Sequence, residues 1–197
     1  KDSVEKYDLA LLSEEQEDDK QRLNKAYFWC IDPLDGTLAF TESQPGYAVS
    51  IALVSKEGIP QIGVVYDPLK NTLYSAIKGK GAFRNGSHWT LPLLQKSVTL
   101  CLPCDRSLLA REDFHDIRNK LNDWAINSGF TGLTEIHHGG AIMNACWALE
   151  NSPACYFTGQ ALDLNRADST FMNHHGAIFT SDSTMLTIIQ SLHTMAK

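Results

Sequence analysis

Asp32 and Asp35 stand three residues apart in the string Asp32-Pro33-Leu34-Asp35-Gly36-Thr37. A Pro-Leu step between them can aim two carboxylates and one backbone carbonyl at a common point. Hard oxygen donors of this kind suit Mg²⁺. Gly36 permits close backbone approach or a positive φ. Thr37 adds a hydroxyl at a position suited to a helix start, where unpaired N–H groups favour a phosphate. Taken alone, the string also fits an Asx-type turn with capping groups. Glu14 and Glu15 supply further acids upstream. Several carboxylates gathered without Lys or Arg are costly unless a cation neutralises them. That argues for a metal, provided the segments carrying them are neighbours.

The elements that would position these groups are short and apolar. Leu9-Ala10-Leu11-Leu12 runs straight into Ser13-Glu14-Glu15, as a strand delivering carboxylates to its end. Tyr27-Phe28-Trp29-Cys30-Ile31 reads as a buried strand that stops at Asp32-Pro33, where proline breaks the ladder. Between them, Glu14 to Lys20 is expected to be a solvated loop. Strands are expected over 47–54, 61–66 and 72–76, and Asn85-Gly86 signals a hairpin, so this stretch predicts an antiparallel meander. Phe114, Ile117, Leu121 and Trp124 recur at helical spacing within Arg111 to Ser128. A second helix is expected from Gly140 to about Asn151 with Ala141, Ala145, Ala148 and Leu149 inward. Short strands over 153–157 and 176–180 and a last helix over 184–196 complete the prediction. Mixed strands and helices with a large antiparallel share predict a layered α/β (α+β) fold in a single domain over 1–197.

Other residue types capable of chemistry read more plainly as structure. Cys101 and Cys104 have C-x-x-C spacing, but no second pair accompanies them, and a strand end explains the composition. His137-His138 and His174-His175 could bind a transition metal or donate to phosphate, yet polar loop residues are the preferred reading. Arg166 could contact a phosphate, with a surface salt bridge as the plainer role. Five scattered cysteines do not form a secreted disulfide framework. The formal net charge of -6 argues against non-specific nucleic-acid binding. No signal peptide and no membrane span is visible, so a cytoplasmic location is expected.

Taken in order, Ser13-Glu14-Glu15, Asp32 to Thr37, Tyr47 to Leu53, Gly63 to Pro68, Gly79 to Gly86 and Gly139-Gly140-Ala141 resemble the inositol monophosphatase family. The ordered set covers most of residues 9 to 157 and is far more specific than any one piece. The resemblance implies alternating helix and sheet layers of the inositol monophosphatase / fructose-1,6-bisphosphatase type. It also implies that Glu14, Asp32, Asp35 and the carbonyl of Leu34 hold Mg²⁺, that Gly36 and Thr37 hold phosphate, and that Thr37 helps orient the attacking water. Gly139, Gly140 and Ala141 would line the substrate side. The activity implied is lithium-sensitive hydrolysis of a small phosphate monoester such as inositol monophosphate. A 3′(2′),5′-bisphosphate nucleotidase and an inactive binding or dimerising module are the alternatives. The partner expected is a phosphorylated small molecule, and a homodimer is compatible with it.

The family also carries a Trp-Asp-x-Ala-Ala helix after the strand matching Ala154 to Phe157, whose Asp completes the metal site. Here Phe157 runs directly into Thr158-Gly159-Gln160, and Asp163 and Asp168 are poor substitutes. An acid upstream of the Glu-Glu segment, which pairs with the threonine in the family, has no counterpart. An element is therefore expected to be missing around 157–158, with a break between Phe157 and Thr158.

Overall fold

A computed structural model describes residues 6–90, 97–137, 139–151, 153–158 and 177–180. A seven-stranded sheet, a second sheet layer made of two bridged strand pairs, and the helices packed on them make up these segments. The first sheet has seven strands in chain order: β1 (Ala10–Ser13), β2 (Tyr27–Asp35), β3 (Ala48–Ser55), β4 (Pro60–Asp67), β5 (Thr72–Ile77), β6 (Gly81–Arg84) and β7 (Ser87–Trp89). β1 pairs with β2 in parallel, and every later pairing is antiparallel. The expected meander is present, and Asn85 and Gly86 turn β6 into β7 with positive φ of 50° and 80°.

β2 differs from expectation. It does not end at Asp32-Pro33 but continues to Asp35. Its register against β3 shifts between Asp32 and Asp35. Such an irregularity is where proline's missing N–H is tolerated, because the ladder is already interrupted. The acidic motif is thus a bulged strand end, and Thr37–Thr41 follows as a short helix, α1. The loop expected at 14–20 is largely solvated, and its Asp18 anchors a buried group just beyond it. Arg22, only 2% exposed, donates through Nε and Nη2 to Asp18 Oδ2 at 3.1 and 2.9 Å.

The second sheet holds β8 (Leu100–Cys104) parallel to β9 (Leu133–His137). A bridge from Cys101 to Ala154 joins β8 to the strand pair β10 (Cys155–Thr158) and β11 (Ala177–Thr180). A 3₁₀ turn (Gln21–Leu23) and helices α2 (Arg106–Leu109), α3 (Phe114–Asn127) and α4 (Ala141–Glu150) complete the described elements. β8 is buried along its whole length and sorts its side chains by alternation. Leu100, Leu102 and Cys104 pack with Ile117, Leu121 and Ala125 of α3, whereas Cys101 packs with Ala145 and Ala148 of α4. On another flank of α4, Met143 and Trp147 join Ala48 of β3. α4 therefore lies between the two sheets and α3 covers the far side, which is a sheet–helix–sheet–helix order. Residues 143–148 of α4 are all buried for this reason, while Ala141, expected inward, is exposed and Leu149 is half-buried.

β10 runs through Phe157 and Thr158, which pair with Ile178 and Ala177. The expected break between them is not found. The two residues are consecutive members of one strand. The helix expected over 184–196 lies outside the described residues, as do Asp163, Arg166, Asp168, His174 and His175. Among the described residues no helix is long and apolar enough to cross a membrane.

Candidate active site

Parallel pairing of β1 with β2 brings the acids together. Ser13 lies opposite Ile31, and the Glu14 N–H donates to the Ile31 carbonyl at 3.3 Å. Glu14 and Asp32 therefore leave neighbouring strands at the same end. The adjacency on which the metal argument depended is present. Asp32 Oδ1 accepts the Leu34 N–H at 2.9 Å, the Asx turn that the motif suggested. The Thr37 hydroxyl donates back to the Leu34 carbonyl at 3.1 Å.

The charges acting on Glu14 are all carboxylates. Burial, then Asp32, with Glu15 and Asp35 behind it, pushes Glu14 up to about 7. Burial and Asp32 raise Asp35 to about 6 against the opposing pull of backbone N–H groups. Burial also raises Asp32. Three acids held this way are short of positive charge, and their oxygen donors suit a hard divalent cation. The residues present thus fit Mg²⁺.

The N-terminus of α4 meets the motif directly. The Ile142 N–H donates to Asp35 Oδ2 at 3.1 Å, and the amides of Ala141 and Met143 also favour the ionised carboxylate. The Gly140 N–H donates to the Gly46 carbonyl at 2.6 Å. This close approach depends on absent side chains. Gly36 has φ +80°, and a Cβ there would lie 2.5 Å from the Gly46 oxygen. A Cβ on Gly140 would collide with Asp35 Oδ2 and lie 2.8 Å from the Gly36 nitrogen. The glycines are the means by which α4 reaches Asp35.

Beside this junction opens a pocket of about 650 Å³ whose lining includes Gly36, Thr37, Cys104, Arg106, His137 and Gly139. Gly139, expected on the substrate side, lines this pocket. Gly140 and Ala141, expected beside it, meet Gly46 and Asp35 through their amides. Sequence reasoning did not single out Arg106 or Glu42, which form an ion pair of 2.6 Å at the pocket. No motif marks them, because only the approach of α1 to α2 joins them.

A sequence profile of the inositol monophosphatase family matches residues 4–168. The Nus factor SuhB of Escherichia coli (strain K12) is 52% identical over 58 residues, 29% of this chain and 21% of that protein. The matched segment thus spans about a fifth of such curated relatives. Inositol monophosphatase II from Staphylococcus aureus MSSA476 is similar with a TM-score of 0.62 and 25% identity, over 79% of this chain and 57% of that one. An IMPase/NADP phosphatase complexed with NADP and Ca²⁺ shares the fold, with a TM-score of 0.64 and 19% identity, over 96% of this chain and 77% of that one.

Proposed function

The chain belongs to the inositol monophosphatase family, and from that premise we propose that it is a Mg²⁺-dependent phosphatase of small phosphate monoesters, inositol monophosphate first among them. One observation carries this reading. Glu14, Asp32 and Asp35 converge at the ends of β1 and β2, held above their ordinary pKa by burial and mutual repulsion, immediately before pocket-lining Gly36 and Thr37. Glu14, Asp32, Asp35 and the Leu34 carbonyl would hold the ion. When bound, Mg²⁺ supplies charge neutralisation at phosphate oxygens and acidifies water.

The chain's own groups do the positioning. Thr37 gives its hydroxyl proton to the Leu34 carbonyl, so its oxygen lone pairs can accept a hydrogen bond from an attacking water and orient it. Gly36 brings the backbone close to the place of the phosphate. Asp35, fixed by the α4 amides, keeps one side of the site rigid. A phosphorylated nucleotide is the second reading. It is favoured by Arg106 and His137 in the pocket wall, which could meet a second phosphate, and by the fold shared with a phosphatase complexed with NADP. A cytoplasmic setting belongs to the proposal and is supported by five free thiols.

The test is phosphate release from inositol monophosphate and from 3′-phosphoadenosine 5′-phosphate, with Mg²⁺ and with added Li⁺. Thr37→Ala should lower kcat more than it changes KM, because it acts on the nucleophile. Turnover indifferent to both Li⁺ and Thr37→Ala would defeat the assignment. Ligand binding without any turnover would leave a binding module.

A further inference from the structure

Cys104, Glu135 and His137 bring a thiol, a carboxylate and an imidazole together outside the acidic turn. One donor atom from each lies within 4.8 Å of the other two. The parallel register dictates this meeting. Cys104 pairs with His137 and Leu102 with Glu135, so positions 100, 102 and 104 share a sheet face with 133, 135 and 137. The same alternation turns Cys101 to the opposite face, which dissolves the C-x-x-C pair and leaves Cys104 with a different set of neighbours.

The three groups are held differently. Glu135 is fixed by Arg118 of α3, whose Nε bonds Oε1, and by His137 Nε2, 2.7 Å from Oε2. Arg118 is thus a positioning residue of the kind that orients metal-ligating carboxylates. Cys104 is 1% exposed, and its Sγ donates to the Leu102 carbonyl at 3.4 Å. Cys104 and His137 both line the pocket of about 650 Å³.

We propose that Cys104, Glu135 and His137 form a binding site for a borderline-soft divalent ion, Zn²⁺ first, with three protein ligands and a fourth position opening on the pocket. Sulfur and nitrogen donors with one carboxylate suit Zn²⁺, whereas Mg²⁺ takes oxygen donors. Donor chemistry therefore sorts the two ions between this site and the acidic turn. On binding, the Cys104 S–H bond breaks, the sulfur–metal bond forms, and the proton leaves to solvent. His137 Nε2, which donates its N–H to Glu135 Oε2 in the metal-free chain, becomes a ligand by shifting to the Nδ1–H tautomer, its Nε2 proton exchanging through solvent and the freed lone pair going to the ion, while Arg118 keeps Oε1. Nothing in this assignment depends on the phosphatase reading.

The test titrates the full chain, saturated with Mg²⁺, with Zn²⁺ against a competing chelator, and repeats the titration with Co²⁺. A single equivalent should bind, and the cobalt form should show a thiolate-to-metal charge-transfer band. Cys104→Ser should abolish that band. His137→Gln, at an exposed position that carries little of the core, should lower Zn²⁺ affinity by about tenfold or more and keep the band. Asp35→Asn should change neither result. Absence of stoichiometric Zn²⁺ binding, a cobalt spectrum without the thiolate band, or a His137→Gln affinity within about twofold of the parent would each overturn the proposal.

Discussion

Replacing Asp35 by asparagine separates the charge of the acidic turn from its shape. The carboxylate is raised from 3.8 to about 6, first by burial and then by Asp32. Each pKa unit is worth about 1.4 kcal/mol, so ionising Asp35 within the metal-free fold costs about 3 kcal/mol. The folded pKa lies above the unfolded one, so the stabilising contribution is complete below about pH 4 and is lost as pH rises through about 6. An amide oxygen can still accept the Ile142 N–H, but it forfeits roughly 1 kcal/mol of charge assistance. In EDTA at pH 8, Asp35→Asn should therefore be more stable than the parent by about 2 kcal/mol, or about 4–8 °C for a chain of this size. At pH 4 the advantage should vanish. Saturating Mg²⁺ should reverse the order. At about 100 times Kd it stabilises the parent by about 2.7 kcal/mol, and it should leave Asp35→Asn almost unmoved. Thermal and urea unfolding at both pH values, each with EDTA and with Mg²⁺, read all these numbers. A variant less stable than the parent in EDTA at pH 8, or one keeping the full Mg²⁺ shift, would refute the reasoning.

Two further outcomes follow from the same geometry. Glu14 is held at about 7, so apparent Mg²⁺ affinity, measured by calorimetry, should strengthen as pH rises through that value; Glu14→Gln should weaken binding and flatten the dependence, and an unchanged profile would remove Glu14 from the ligand set. Gly140→Ala places a methyl group against Asp35 Oδ2 and should destabilise the protein by about 1–3 kcal/mol in urea unfolding, with the Mg²⁺ response weakened as well; a neutral result would show that α4 and the motif are not in contact.

Local order in the chain was enough for much of the fold. The apolar run Tyr27 to Ile31 makes a strand, Asn85-Gly86 makes a hairpin, and the spacing of Phe114, Ile117 and Leu121 makes a helix, because each depends on neighbours a few residues away. The acidic string was legible for the same reason, since Asp32, Leu34 and Thr37 bond one another within five residues. Its likeness to a known family came from the order of such local pieces. Proline misled at Pro33, because a shift in β2–β3 register, which no local rule records, lets the strand pass through it.

What joined distant residues was decided by tertiary structure. Glu14 reaches Asp32 only because β1 lies parallel to β2 in that register. Asp35 meets the α4 amides only because glycines let two backbones close on each other. Cys104 and His137 each looked like ordinary strand-end or loop residues. A slip of one residue between β8 and β9 would have turned Glu135 and His137 to the other face, because side chains alternate with period two. Sequence by itself determined which donors exist and which short segments carry them. Strand register and helix docking decided which donors meet, because both are settled by core packing between segments far apart in the chain.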